Sequence, residues 1–484
     1  MWPSSSEVLR IAPEIVLTVF GALVMVLEPL TGDGKGEKPL LRFLTLIGLA
    51  LALAASVLAY VDGGTAFHDM VRIDGFATFF RVLVCGVGLL TVLASAGYLV
   101  RERHENGEFY ALILFSIAGQ SIMASANELI VLFIGLEISS IASYILAGFL
   151  RDDKRNNESA VKYFLLGSFA TAFLLYGVAW IYGLSGSTNL DRIRAYLTGT
   201  GWNPTLVGIA AGLMLVGFAF KVSAAPFQAW APDVYQGAPA PVSAFLSAGP
   251  KAAAFAMFLR VFLTAFGPIA ERWEPLVWGS ALLTMIIGNF AALRQTNVKR
   301  MLAYSSIAHA GYSLVAVATH SANGTAAVMF YLAAYALMNI GAFAVVAHIG
   351  RRGEKHVAVE DLAGLGERQP FTAALLTVYM LSLIGIPLTA GFFGKFYIFK
   401  AAIEAGFIWL TVAGLLTSAV AAWYYLQILV AVWMKEPGEA VEAAEPLGPC
   451  LRAALVLSAG ATFLLGIFPG FVLEAARRST EWVK

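Results

Sequence analysis

Six side chains able to carry charge or hand on a proton sit in stretches that are otherwise almost pure hydrocarbon. They are Glu137 in "LIVLFIGLEISSIASYILAGF", Lys162 in "ESAVKYFLLG", Lys221 closing "GLMLVGFAFK", Lys251 in "GPKAAAFAMFL", His309 in "YSSIAHAGYSLVAV" and Lys395 in "GIPLTAGFFGKFYIF". A lysine that gains or loses a carboxylate neighbour changes its hold on a proton, and desolvation changes it further. Moving one proton against about 180 mV costs roughly 4 kcal/mol. At about 1.36 kcal/mol per unit, that is a pKa swing of some three units. Breaking one buried ion pair in a dry site supplies a change of that size, so titratable groups strung along an apolar chain and joined by water predict a proton path. Competing chemistry is absent from the motifs. "GFFGK" lacks the first glycine and the following Ser/Thr of a phosphate loop. Cys85 and Cys450 form no CxxC, metal spacing or disulfide framework.

Each of the six has a bland reading beside the functional one. Glu137 shares or flanks a helical face with Ser140, Ser143 and Tyr144, so it is either a neutral acid bonded to hydroxyls or the partner of a base. Lys221 precedes "VSAAPFQ", where Pro226 deprives the Val222 carbonyl of its helical donor. Broken backbone at membrane depth is tolerated only where it packs in protein or lines water; the alternative for Lys221 is snorkelling to the surface. A span starting near Pro241 buries Lys251 three turns deep, whereas one starting at Pro250 leaves it at the interface. Lys395 follows a second interruption marked by Pro387, Gly391 and Gly394. His309 is either a satisfied core histidine or a proton carrier. Lys162 divides in the same way. Arg81, Arg260 and Lys400 read as structural.

The elements that must position these groups are membrane spans. The 484 residues are 59% hydrophobic and 13% charged, with mean hydropathy +0.75. Soluble domains carry about twice that share of charge, so the fold class is an all-α polytopic membrane protein. A formal net charge of +1 leaves no footprint for nucleic acid or an acidic partner. Fourteen runs are long enough to cross about 30 Å of hydrocarbon: 11–30, 40–60, 75–99, 109–125, 128–150, 158–184, 205–225, 241–266, 274–293, 299–319, 324–349, 371–402, 406–434 and 449–473. The start "MWPSSSEVLRIAPEIV" lacks the basic flank and cleavage site of a removable signal, so the first run is expected to stay and span. Loops after odd-numbered spans, "RDDKR", "RQTNVKR" and "RRGEK" among them, carry twice the Lys and Arg of the other loops and termini together. That bias predicts both termini outside the cytoplasm.

Two proline-broken spans, each with a lysine near the break, occupy the seventh and twelfth positions. An odd offset gives two units of opposite topology, the pattern of an inverted-repeat transporter. The fifth and tenth spans echo the offset, sharing SSIA at Ser139–Ala142 and Ser305–Ala308.

"FKVSAAPFQAWAPDVYQGAPAPVSAFLSAGPKAA", "VKRMLAYSSIAHAGY" and "GIPLTAGFFGKF" resemble the proton-conducting antiporter-like subunits of respiratory complex I and of the Mrp sodium/proton antiporters. Within that family, "APEIVLTVFGALVMVLE" and "VEDLAGLGERQP" look like the N-type branch. Lys395 stands where the M-type has a glutamate, and the long lateral helix of the L-type does not follow the fourteenth span. The resemblance implies three leading helices (1–108), a repeat of helices four to eight (109–266), an inverted repeat of helices nine to thirteen (267–435) and a last helix (436–484). It implies that Glu137 pairs with Lys221, with Lys162 near that pair. Lys251 is then the central relay, Lys395 the outlet lysine and His309 a bridge. It further implies a subunit that moves protons across a bacterial inner membrane, powered by electron transfer from NADH to quinone in other subunits. No cofactor or metal is expected on this chain, with NADH, FMN, iron–sulfur clusters and quinone held by partners. Those partners would include an M-type antiporter-like subunit and small K- and J-type subunits. The alternative is an Mrp-type secondary sodium/proton antiporter subunit.

Overall fold

Lipid offers a backbone no hydrogen bonds, so long apolar runs close their own as helices. The computed structural model describes residues 4–31 and 37–483; Lys35 and Lys484, both counted in the charge bias above, lie outside them. Among the described residues thirteen helices are long and apolar enough to span a bilayer. In chain order they are Ala12–Thr31, Pro39–Asp62, Gly75–Glu102, Gly107–Ser125, Leu129–Ala147, Lys154–Ser185, Pro204–Val222, Ala240–Ala265, Gly267–Ala292, Val298–Ala318, Ala322–Ile349, Ile408–Met434 and Pro449–Ile467. A fourteenth span, twelfth in order, is split into Pro370–Ile384 and Ala390–Glu404, neither half long enough to cross alone. The expected number of spans and both broken positions are therefore present. Described strand is confined to one short antiparallel hairpin, Gly64–Ala66 with Val71–Ile73.

Depth in the bundle is uneven. The eighth and tenth spans are each 94% buried and the eleventh 89%, against 22% for the first. Charges on the eighth and tenth spans therefore face protein, whereas the outer spans present Ile, Leu and Phe to lipid.

The two breaks are built differently. The seventh span stops at Val222, where Ser223 turns left-handed (φ 62°), and its chain resumes as the short helix Trp230–Gly237. Side chains of the ninth span satisfy the opened backbone: the Ala225 amide donates to Thr284 Oγ1 (2.8 Å) and the Ser280 hydroxyl donates to the Ala225 carbonyl (2.6 Å). In the twelfth span the break is made at Gly385 (φ 95°) and Leu388 (φ 70°) around Pro387. Gly391 and Gly394, read from sequence as part of the interruption, instead lie inside the second half-helix. They allow close approach: a Cβ on Gly391 would run into the Ser382 carbonyl, and one on Gly394 into the Tyr331 ring.

Arg81 and Arg260 are structural, as their sequence context suggested. Arg81, with no exposed side-chain surface, pairs with Glu14 at 2.6 Å and ties the first span to the third. Arg260 is equally buried, forks onto Asp74 at 2.6 and 2.8 Å and lies against both the Phe76 and Trp482 rings, 4.5 and 4.8 Å from their centroids. Burial works to raise the Asp74 carboxyl, but the Arg260 guanidinium, the Ala77 amide and Arg72 together outweigh it and hold the group below its ordinary value. Lys400 meets Glu404 at an exposed 3.8 Å. Breaking a buried ion pair costs about 3 kcal/mol or more. Arg260→Met should therefore lower the thermal midpoint of the purified assembly by several degrees; an unchanged midpoint would refute the anchoring role.

Candidate functional site

Lys221 ends the first half of the seventh span, where the backbone turns away, and its ammonium is held by neutral oxygens. It donates to Ser140 Oγ at 2.7 Å and Tyr144 Oη at 3.3 Å, both on the fifth span. The rings of Tyr144, Tyr163 and Phe220 lie 5.3–5.8 Å from the nitrogen, within cation–π range. Trp230 fixes this cage from below by donating to the Phe220 carbonyl (2.9 Å) and stacking on Tyr163 at 4.6 Å.

Lys251 sits three turns inside an eighth helix that begins at Ala240 and runs through Pro250, which settles its depth in favour of burial. It is 3% exposed and donates to the Ser306 carbonyl (3.0 Å) and to the Ser306 hydroxyl. Pro250 has no amide hydrogen to give to the Leu246 carbonyl. One narrow void is lined by Lys221 and Lys251 together, with Leu246, Pro250, Ser139, Ser140, Ser143 and Trp230 among its walls. The two SSIA motifs act alike here: the second serine of each accepts from a lysine, Ser140 from half-buried Lys221 and Ser306 from buried Lys251. Their lysines are not equivalent under the repeat, since Ser306 meets Lys251 of the eighth span rather than Lys395 of the twelfth.

From Lys251 a file of hydroxyls continues along the tenth span. Ser305 meets the Tyr425 hydroxyl, which lies 3.1 Å from His309 Nε2, and His309 Nδ1 meets the Tyr331 hydroxyl. Asn289 joins Tyr312 (3.0 Å) to Tyr424 (3.2 Å) beside it. Lys395, 7% exposed, stands 5.2 Å above the Tyr312 ring. Its ammonium donates to the Leu383 and Ile384 carbonyls (2.9 and 2.8 Å) and to Ser418 Oγ (2.8 Å). Those carbonyls end the first half-helix of the broken span, where partial negative charge collects and helical donors run out. The break thus creates the solvation site for the lysine that follows it.

Two expectations do not hold in this arrangement. Glu137 makes no ion pair with Lys221 or any other base among the described residues; its Oε1 is buried without a hydrogen-bond partner. Ser140, one helical turn on, takes the lysine instead. Lys162 is also not beside that pair. Its side chain, 41% exposed, bonds Glu158 at 2.7 Å and Asp233 at 2.8 Å in a surface cluster with Arg300. Tyr163, the next residue, faces Lys221, and the helical turn of about 100° per residue sends Lys162 outward.

Two features escaped the sequence reading. Lys299 and Glu354 looked like loop charges in "NVKR" and "RRGEK", yet they form an ion pair with side chains only 1% and 10% exposed. Glu354 also accepts from Tyr98 (2.8 Å) and from the Ala240 amide at the start of the eighth span (2.6 Å). A carboxylate at a helix N-terminus is favourable, but only the fold brings this one there. The tyrosines around His309 were missed as well. The i, i+3 pair His309/Tyr312 and the i, i+4 pair Tyr331/Tyr335 were the available signal.

With this geometry in hand, likeness to known proteins can be judged. A family model described as "NADH:quinone oxidoreductase/Mrp antiporter, TM" matches residues 126–421. The NADH-quinone oxidoreductase subunit N 1 of Solibacter usitatus is 62% identical over 99% of this chain and 98% of its own. That of Trichlorobacter lovleyi, subunit N, is 46% identical over 98% and 97%. A chain of respiratory complex I from Thermus thermophilus is 38% identical with TM-score 0.82, covering 96% of this chain and all of that one. A chain of the Mrp complex from Dietzia has TM-score 0.84 at 22% identity over 98% of this chain and 97% of its own, a likeness of fold alone. The chain belongs to the NADH:quinone oxidoreductase/Mrp antiporter membrane-subunit family, in its NADH-quinone oxidoreductase subunit N branch.

Proposed function

We propose that this subunit carries protons across a bacterial inner membrane along the axis Lys221–Lys251–His309–Lys395, driven by NADH oxidation and quinone reduction in other subunits. The chain itself holds no redox centre; its part is to bind, shield and pass protons. The observation that carries the reading is the void shared by Lys221 and Lys251, with the ammonium groups of half-buried Lys221 and of buried Lys251 and Lys395 solvated by hydroxyls and carbonyls rather than by carboxylates. A lysine held by neutral oxygens can lose its proton without stranding a counter-charge. The buried Tyr235 and Tyr335 hydroxyls have no protein partner, and a bridging water needs polar sites of this kind.

The sequence of events starts at Glu137. With the carboxylate apart from Lys221, the lysine faces the void and its proton moves toward Lys251. Rejoining the pair after an electrostatic or conformational pulse from neighbouring subunits holds the next proton on Lys221. Lys251 passes its proton through Ser306, Ser305, Tyr425 and His309, and Lys395 releases it to the outer face. Both termini lie on that outer face, reprotonation comes from the cytoplasm, and an M-type subunit with small K- and J-type subunits flanks the chain.

In the intact, reconstituted complex, Lys221→Ala or Glu137→Ala should sharply lower protons released per NADH oxidised while the complex still assembles. Full stoichiometry in an assembled Glu137→Ala complex contradicts the switching role. Ser306→Ala removes the hydroxyl that accepts from Lys251. At about 1.5 kcal/mol for a hydrogen bond to a charged group, proton flux should change about tenfold, and unaltered flux would take Ser306 out of the path.

A further inference from the structure

A large cavity lies away from the lysine axis. It measures about 560 Å³ and opens among the ends of the third and eleventh spans and the starts of the second and fourteenth. Odd spans end and even spans begin on one face, so all four termini meet at the same membrane surface, the one richer in Lys and Arg. Arg42, Arg101, Arg351 and Arg352 line the cavity, opposed by the carboxylates of Glu37 and Glu445. Arg42 is already ion-paired, lying 3.5 Å from Glu105 and 3.8 Å from Glu37. Arg101 donates to the Ala347 and His348 carbonyls (2.6 and 3.2 Å), which end the eleventh span, yet its Nε is buried without a partner. Among the described residues Arg101, Arg351 and Arg352 make no ion pair.

Below the charged rim the walls turn small and apolar: Ala94, Gly97, Ala344, Ala347 and Leu451. A Cβ added to Gly97 would meet nothing within 4 Å, so that helix face opens onto empty volume rather than a packed neighbour. Guanidinium groups at headgroup level above an apolar floor match an amphipathic anion.

The geometry points to a binding site for an anionic phospholipid, its phosphate held by Arg101, Arg351 and Arg352 and its glycerol end resting on the small residues of the third and eleventh spans. Phosphate is recognised by guanidinium in paired hydrogen bonds, and basic pockets between spans at the cytoplasmic surface suit such headgroups. A free phosphate ion would leave the apolar floor wet. The site joins the second, third, eleventh and fourteenth spans, so its occupant would brace the leading helices against the span that carries Tyr331 and Tyr335.

Cys450 lines the cavity and is partly exposed, while Cys85 is buried, so one thiol reports on occupancy. The experiment is alkylation of Cys450 by N-ethylmaleimide in the intact, delipidated complex, followed by peptide mass spectrometry. Detergent micelles doped with cardiolipin should slow alkylation; micelles doped with phosphatidylcholine, or inorganic phosphate alone, should not. Arg351→Gln with Arg352→Gln should weaken cardiolipin protection about thirtyfold, whereas Arg194→Gln, outside the cavity, should leave it unchanged. Equal protection by phosphatidylcholine overturns the charge recognition, and protection by inorganic phosphate alone makes the ligand a free anion. A Cys450 that stays unreactive in the delipidated complex means that protein fills the cavity, which also overturns the proposal.

Discussion

A cation inside a bilayer must be solvated by the protein that brings it there, and along the lysine axis this bundle does so with neutral oxygen. Lys221 has Ser140 and Tyr144, Lys251 has Ser306, and Lys395 has Ser418 and two helix-end carbonyls. Carboxylates would bind the ammonium groups more tightly and hold their protons in place. The structure keeps its firm ion pairs, Arg81–Glu14, Arg260–Asp74 and Lys299–Glu354, away from the axis, where they join spans. Strong pairs anchor the bundle and weak ones line the path.

The broken spans follow from the same constraint. In an unbroken helix each carbonyl already accepts from an amide four residues on, so a side chain can take only its second lone pair, as Lys251 does at Ser306. Ending the twelfth span at Ile384 releases carbonyls where Lys395 needs acceptors. The break in the seventh span lets Trp230 reach back to Phe220 and complete the aromatic wall beside Lys221. Each interruption costs helical hydrogen bonds, and Thr284, Ser280 and Lys395 itself recover part of that loss.

Much of this was legible before any coordinates. Span number, both breaks and the burial of His309 and Lys395 follow from apolar run lengths, proline positions and the expense of charge in lipid. The depth of Lys251 does not, because its helix could start at Pro241 or at Pro250 and only the fold shows it running from Ala240. The failures are equally physical. Adjacent helical residues point about 100° apart, so Lys162 and Tyr163 exchange roles with a small turn of one helix, and no sequence pattern fixes that turn. Glu137 lies one helical turn before Ser140 on the fifth span, yet the lysine chain reaches the serine and not the carboxylate, a choice that no sequence pattern fixes. Lys299 and Glu354 are buried only because a loop folds back under the start of the eighth span. Gly391 and Gly394 resembled helix breakers and proved to be contact points, since glycine serves either need.

The central claim is that protons cross by a hydrated file between Lys221 and Lys395, inside protein. Its most direct test is a map of the intact complex sharp enough to resolve ordered water within this chain. The account predicts water density joining the Lys221–Lys251 void to the Tyr335, His309 and Lys395 region, with every lysine amine turned inward. A dry, close-packed interior between Lys251 and His309, or amines directed into the acyl chains, would contradict it.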